Sequence, residues 1–127
     1  MQKLNNLKDK FLFWDLDNIN LKDETINILK DKDEYKVYLL KNKKLSRKRE
    51  EMYQKVKKEF HNDSTFIECE DVDDKIFEMV KEVRDAKHII IISNDRDFFE
   101  LAKISSNIEI LTLKPHKSNK NITITQF

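Results

Sequence analysis

Apolar residues in this chain gather in short blocks set between polar stretches. The blocks KFLFW (10–14), YKVYLL (35–40), TFIE (65–68), HIIIIS (88–93) and EILTL (109–113) are rich in β-branched and aromatic residues and predict strands. ITIT (122–125) predicts a further strand at a sheet edge. Between the blocks the period changes. Met52, Val56 and Phe60 recur every four residues within 46–60, and Val72, Ile76, Val80 and Val83 share one face of 72–84, so both segments predict amphipathic helices. A shorter helix is expected over 96–104.

Strands alternating with helices of this length imply βαβ units. The expected fold is α/β, a three-layer α/β/α sandwich with a mostly parallel central sheet. The unbroken run Ile89 to Ile92 suits a strand covered on both faces. With 127 residues and no linker-like composition shift, residues 1–127 are read as one domain.

Composition narrows the functional classes only slightly. Lys plus Arg (25) nearly balances Asp plus Glu (24), so any basic footprint for nucleic acid has to be local. The single cysteine, Cys69, rules out an internal disulfide, and the three scattered histidines give no Cys/His zinc spacing. A reducing, cytoplasmic setting is expected. Neither a signal peptide nor a stretch near the ~18 apolar residues of a membrane span is found. Glycine is absent and proline occurs once, so the turns are left to Asn and Asp.

Those turn residues are also the candidate chemistry. FLFWDLDN runs from an apolar strand into Asp15, Asp17 and Asn18, and HIIIISNDRD runs from another into Ser93, Asn94, Asp95 and Asp97. Ligands of open α/β sheets bind at that carboxyl edge. EDVDD adds Asp73 and Asp74 in the first turn of the helix expected from Val72. Each aspartate taken singly is better explained by helix capping. Converging, they repel one another unless protonated, solvated or neutralised by a cation. All-oxygen donors suit Mg²⁺ or Mn²⁺, and phosphoester hydrolysis is the natural reaction class. Asp15, Asp73, Asp95 and Asp97 are therefore the candidate catalytic and metal-ligating set, with Asn18, Ser93, Asn94, Asp74 and Asp17 in support.

WDLDN resembles the D-x-x-N motif that ends the first strand of NYN domains, a branch of the PIN-like nucleases, with Asp15 and Asn18 at the motif positions. IIIISNDRDFFEL is similar to that family's strand followed by S-G-D-S-D-F, and VDDKIFEMV to its intervening acidic helix start. Asn94 stands where glycine is usual and Arg96 where a small residue is usual, which sets a cation beside the acids; the Ser-Asn-Asp form and the paired Asp73 and Asp74 resemble Regnase-type relatives. The resemblance implies a Rossmann-like parallel sheet between helices, an Mg²⁺ or Mn²⁺ site and cleavage of RNA, single-stranded by default. Two other readings compete. DLDN also resembles the first motif of haloacid dehalogenase-like phosphatases, although Ser93 and both later acids share one strand end here. A catalytically idle PIN-like module that binds RNA or a protein, or pairs with a second copy, is the other.

Candidate RNA contacts are Arg96 and the basic run Lys41, Lys43, Lys44, Arg47, Lys48 and Arg49, together with Lys114, Lys117 and Lys120. A solvated basic face explains both runs better than RNA contact does when the runs are taken alone. Phe11, Phe13, Phe66 and Phe77 read as core, as does Trp14, with pocket lining as its alternative. None of His61, His88 and His116 is assigned to catalysis.

Overall fold

A computed structural model describes residues 9–42, 46–60, 63–113 and 123–126. The expected contacts at Lys43, Lys44, Lys114, Lys117 and Lys120, and the expectations for His61 and His116, lie outside those residues. The described residues build an α/β fold on one six-stranded sheet. Its strands are β1 (Lys10–Asp15), β2 (Tyr35–Lys41), β3 (Asp63–Glu68), β4 (His88–Ile92), β5 (Ile108–Thr112) and β6 (Thr123–Gln126), in the order β3-β2-β1-β4-β5-β6. Every pairing is parallel.

Alternation along the strands divides the core into two apolar clusters, one per sheet face. Leu12 and Trp14 of β1, Val37 and Leu39 of β2, and Ile90 and Ile92 of β4 join one cluster, covered by α1 (Asp23–Ile26), the 3₁₀ turn Asn27–Leu29 and α2 (Arg47–Glu59). Phe11, Phe13, Ile89 and Ile91 join the other, covered by α3 (Val72–Glu82) and a 3₁₀ helix, Arg96–Lys103. Trp14 is fully buried, and its indole N–H donates to the Ile19 carbonyl at 2.9 Å, so the core reading holds and the pocket alternative does not.

Both long helices begin where a side chain caps them. Ser46 Oγ accepts the Arg49 N–H at 3.3 Å and an Asp71 carboxylate oxygen accepts the Asp74 N–H at 3.0 Å. The segment after β4 departs from the expected helix in its winding. Phe98, Leu101 and Ile104 recur every three residues, the period that a 3₁₀ helix stacks on one face, and Phe98 and Leu101 are fully buried. The single-turn α1 has no counterpart among the expected elements: four residues are too few for a helical period to stand out, yet Ile26 and the following Leu29 are buried on the first face. Among the described residues no helix is long and apolar enough to cross a membrane.

The strand order positions the site. From β1 the chain proceeds outward to β2 and β3, then returns to β4 on the other side of β1 and proceeds the opposite way. The connection after β1 leads to the first face and the one after β4 to the second, so the two diverge and open a crevice at the carboxyl ends.

Candidate metal centre

Asp15 ends β1 in register with Leu40 of β2, one residue past the pairing of Trp14 with Ile92 of β4. Two-residue alternation places it on the same face as Phe11 and Phe13, the face that α3 and the 3₁₀ helix cover. Ser93 follows Ile91 onto that face by the same rule. Two tips that are 78 residues apart in sequence therefore meet, and Ser93 Oγ donates to Asp15 Oδ2 at 3.0 Å in a buried hydrogen bond. The same Oγ accepts the Asp95 N–H at 3.0 Å.

Asp15 is only 3% exposed, and its other oxygen, Oδ1, is buried with no hydrogen-bond partner among the described residues. A buried, unsatisfied carboxylate oxygen is costly. Burial raises the Asp15 pKa most, the Ser93 hydroxyl works against that, and the charge of Asp17 raises it further.

Above Asp15 opens a cleft of about 290 Å³ lined by Asp17, Asn18, Asn42, Glu70, Asp71, Asp73 and Asp95. Carboxylate oxygens of Asp73, Asp95 and Asp97 lie within 4.8 Å of one another. The cleft and this trio overlap at Asp73 and Asp95; Asp15 forms the floor, and the exposed Asp97 stands outside. Burial, the Asp95 charge and a hydrogen bond shared with Asp95 push the Asp73 pKa up to about 7. The pair thus holds a proton into the neutral range when no cation is bound.

Two asparagines lock the rim. Asn18 Oδ1 accepts the Asn94 N–H at 3.0 Å, and Asn94 Oδ1 accepts the Leu113 N–H at 2.8 Å, so the ends of β1, β4 and β5 are tied in sequence. With no glycine available, asparagine and aspartate side chains supply these turn bonds. Asp95 likewise accepts the Asp97 N–H at 2.9 Å, so it caps the 3₁₀ helix and faces the cleft at once.

The remaining candidates are placed differently. Asp17 lines the cleft but pairs with Lys41 at 2.8 Å, which turns Lys41 from an RNA contact into the partner of an acid. Asp74 is exposed and outside the cleft lining. Arg96 is exposed, is not part of the cleft lining and forms no ion pair with the described acids. Arg47 is exposed on the first turn of α2, and Lys48 and Arg49 line a separate groove. Asn42, Glu70 and Asp71 line the cleft although the sequence pattern does not single them out. Glu70 and Asp71 are the first two residues of EDVDD, beside the two aspartates read from it, whereas Asn42 follows β2 and carries no signal of its own.

The donor set fits a hard divalent cation: carboxylates only, one of them buried with an unpartnered oxygen. His88 lies at the opposite end of the sheet, bonded to Tyr35 and facing Glu109 at 3.3 Å. No family model, curated protein or solved structure matches the chain in comparison with known proteins.

Proposed function

We propose that the chain is a divalent-metal-dependent ribonuclease of the NYN type, a PIN-like enzyme that hydrolyses RNA phosphodiester bonds endonucleolytically. The observation carrying this reading is the unpartnered, buried Asp15 Oδ1 beneath the clustered carboxylates of Asp73 and Asp95. Asp15, Asp73 and Asp95 would hold Mg²⁺ or Mn²⁺, with Asp97 at the rim. When bound, such an ion polarises a phosphodiester and lowers the pKa of water toward neutrality.

The chain's own residues supply the rest. Ser93 fixes the orientation of Asp15 and the backbone of Asp95 with one hydroxyl. Asn18 and Asn94 hold the two strand tips at a constant separation. Asp73, which holds a proton into the neutral range, would give that proton up on binding a cation. A phosphatase of the haloacid dehalogenase type would need Asp17 as its acid/base, but Asp17 is engaged by the Lys41 ammonium. The reducing cytoplasm suits the free Cys69.

The test compares wild type with Asp95→Asn on labelled single-stranded RNA in Mn²⁺ or Mg²⁺, with and without chelator. Cleavage that needs the ion and falls by two or more orders of magnitude in the variant supports the reading. Equal cleavage by both proteins overturns it. Turnover of a small phosphomonoester that depends on Asp15, with RNA left intact, would assign the site to the phosphatase instead.

A further inference from the structure

A second groove, of about 450 Å³, has the opposite character to the acidic cleft. Lys22, Lys48 and Arg49 line it above Leu21 and Met52, with no acidic residue in the lining. None of the three cations forms an ion pair among the described residues, whereas the nearest acid of α1, Asp23, is held by Lys55 at 2.8 Å. The amino end of α2 adds its partial positive charge. Three cations that lack an ion-pair partner among the described residues repel one another in one concavity, and a polyanion relieves that repulsion.

The loop after β1 contributes to both linings. Asn18 lines the cleft and Asn20 lines the groove, and two residues of chain separate their Cα atoms by at most about 7 Å. The loop thus runs from one lining into the other, and a strand laid along it meets both. A six-carboxylate cleft repels a polynucleotide that has no other hold. A cationic groove lined by the same loop offsets that repulsion without placing a lysine among the metal ligands.

We propose that Lys22, Lys48 and Arg49 form a phosphate-anchoring subsite for single-stranded RNA, each cation neutralising one backbone phosphate of the strand that is presented to the acidic cleft. This rests on the ribonuclease reading for the identity of the strand. The half-buried Met52 gives the sugar or base an apolar surface, backed by the buried Leu21. The substrate is then an oligonucleotide that must reach past the scissile phosphate, and a mononucleotide or small phosphomonoester engages only half of the site.

The experiment measures binding of a fluorescein-labelled single-stranded RNA of about 12 nucleotides, a length within the reach of typical single-strand sites. Anisotropy is recorded over a salt series with Ca²⁺ in place of Mg²⁺ to slow hydrolysis, for wild type and the combined Lys22→Gln, Lys48→Gln, Arg49→Gln variant. The variant should bind at least about tenfold more weakly, and its slope of log K against log salt should be shallower by about 2, three phosphate contacts at ~0.7 each. Its Mn²⁺ affinity by calorimetry should be unchanged. Equal affinity and slope overturn the subsite, as does a wild type that binds no RNA. RNA that is anchored through the groove but never cut in Mg²⁺ or Mn²⁺ leaves the subsite standing and removes the nuclease reading; cutting with unaltered affinity in the variant does the reverse. If the combined variant does not fold, the single Lys22→Gln and Lys48→Gln variants should each lose about 0.7 of slope.

Discussion

The Ser93 hydroxyl, fully buried, donates to Asp15 Oδ2 at 3.0 Å and accepts the Asp95 N–H at the same distance. One oxygen thus sets two of the candidate ligands. Ser93→Ala should destabilise the fold by about 1–3 kcal/mol, because it strands a buried carboxylate oxygen and a backbone donor together. It should also weaken cation binding. Thermal melting and calorimetric titration with Mn²⁺ check the two effects, and Ser93→Thr, which keeps the hydroxyl, should recover part of both.

Asp15 itself is expected to oppose folding in the absence of a cation. Its pKa is raised, chiefly by burial, so the stability it contributes is present below its unfolded pKa and lost as pH rises through the folded one. At pH 7.5 in chelator, Asp15→Asn should therefore melt no lower than wild type. Mg²⁺ at about 100 times its Kd should stabilise wild type by ~2.7 kcal/mol and the variant far less. A variant that melts well below wild type in chelator and still gains fully from Mg²⁺ would sink the assignment of Asp15 as a ligand.

Much of this arrangement was legible in the sequence, and the reasons are local. An apolar strand ending in Asp15, and another ending in Ser93 and Asp95, announce a carboxyl-edge site once the two strands are neighbours, which their continuous apolar runs suggest. Strand alternation even fixes the face on which both tips lie. Pairing specificity was not legible. Nothing in KNKK distinguishes Lys41, bound to Asp17, from a lysine open to solvent, because the partner lies 24 residues away. The basic groove was equally hidden: Lys22 sits in a segment with no periodic signal, and only the fold sets it opposite Lys48 and Arg49.

The Asp73 and Asp95 pair should give the cation-free protein a pH signature. Asp73 is raised to about 7, so its contribution to stability is fully present below pH 3.8 and is lost as pH rises toward 7. In chelator, thermal stability should therefore decline across that window by more in wild type than in Asp73→Asn. Saturating Mg²⁺ should remove the difference by neutralising the pair, with proton release on binding at pH 6 visible as a buffer-dependent heat.

Asp71 separates capping from site chemistry. Its side chain accepts the Asp74 N–H and also lines the cleft. Asp71→Ala should cost about 0.5–2 kcal/mol through the lost cap, whereas Asp71→Ser retains a capping oxygen and should cost only a few tenths. If the carboxylate matters only as a cap, Asp71→Ser should bind Mn²⁺ and cleave RNA as wild type does. A fall in Mn²⁺ affinity with unchanged melting would add Asp71 to the metal site.

Asp17 decides between the two enzymatic readings. Its carboxylate is held by Lys41 at 2.8 Å and also receives the Asn42 N–H at 3.4 Å, a structural tie between the loop after β1 and the end of β2. As a tie that is partly open to solvent, the ion pair contributes ~0–1 kcal/mol. Asp17→Asn should therefore lower melting only slightly and leave RNA cleavage within about tenfold of wild type, since Asn keeps an acceptor for the Asn42 N–H and the ligand carboxylates are untouched. A phosphatase that used Asp17 to move a proton would lose several orders of magnitude of phosphomonoester turnover in the same variant. Measuring both substrates against Asp17→Asn and Asp95→Asn makes the comparison symmetrical: loss of RNA cleavage only in the second variant supports the nuclease site, and loss of phosphatase turnover in the first overturns it.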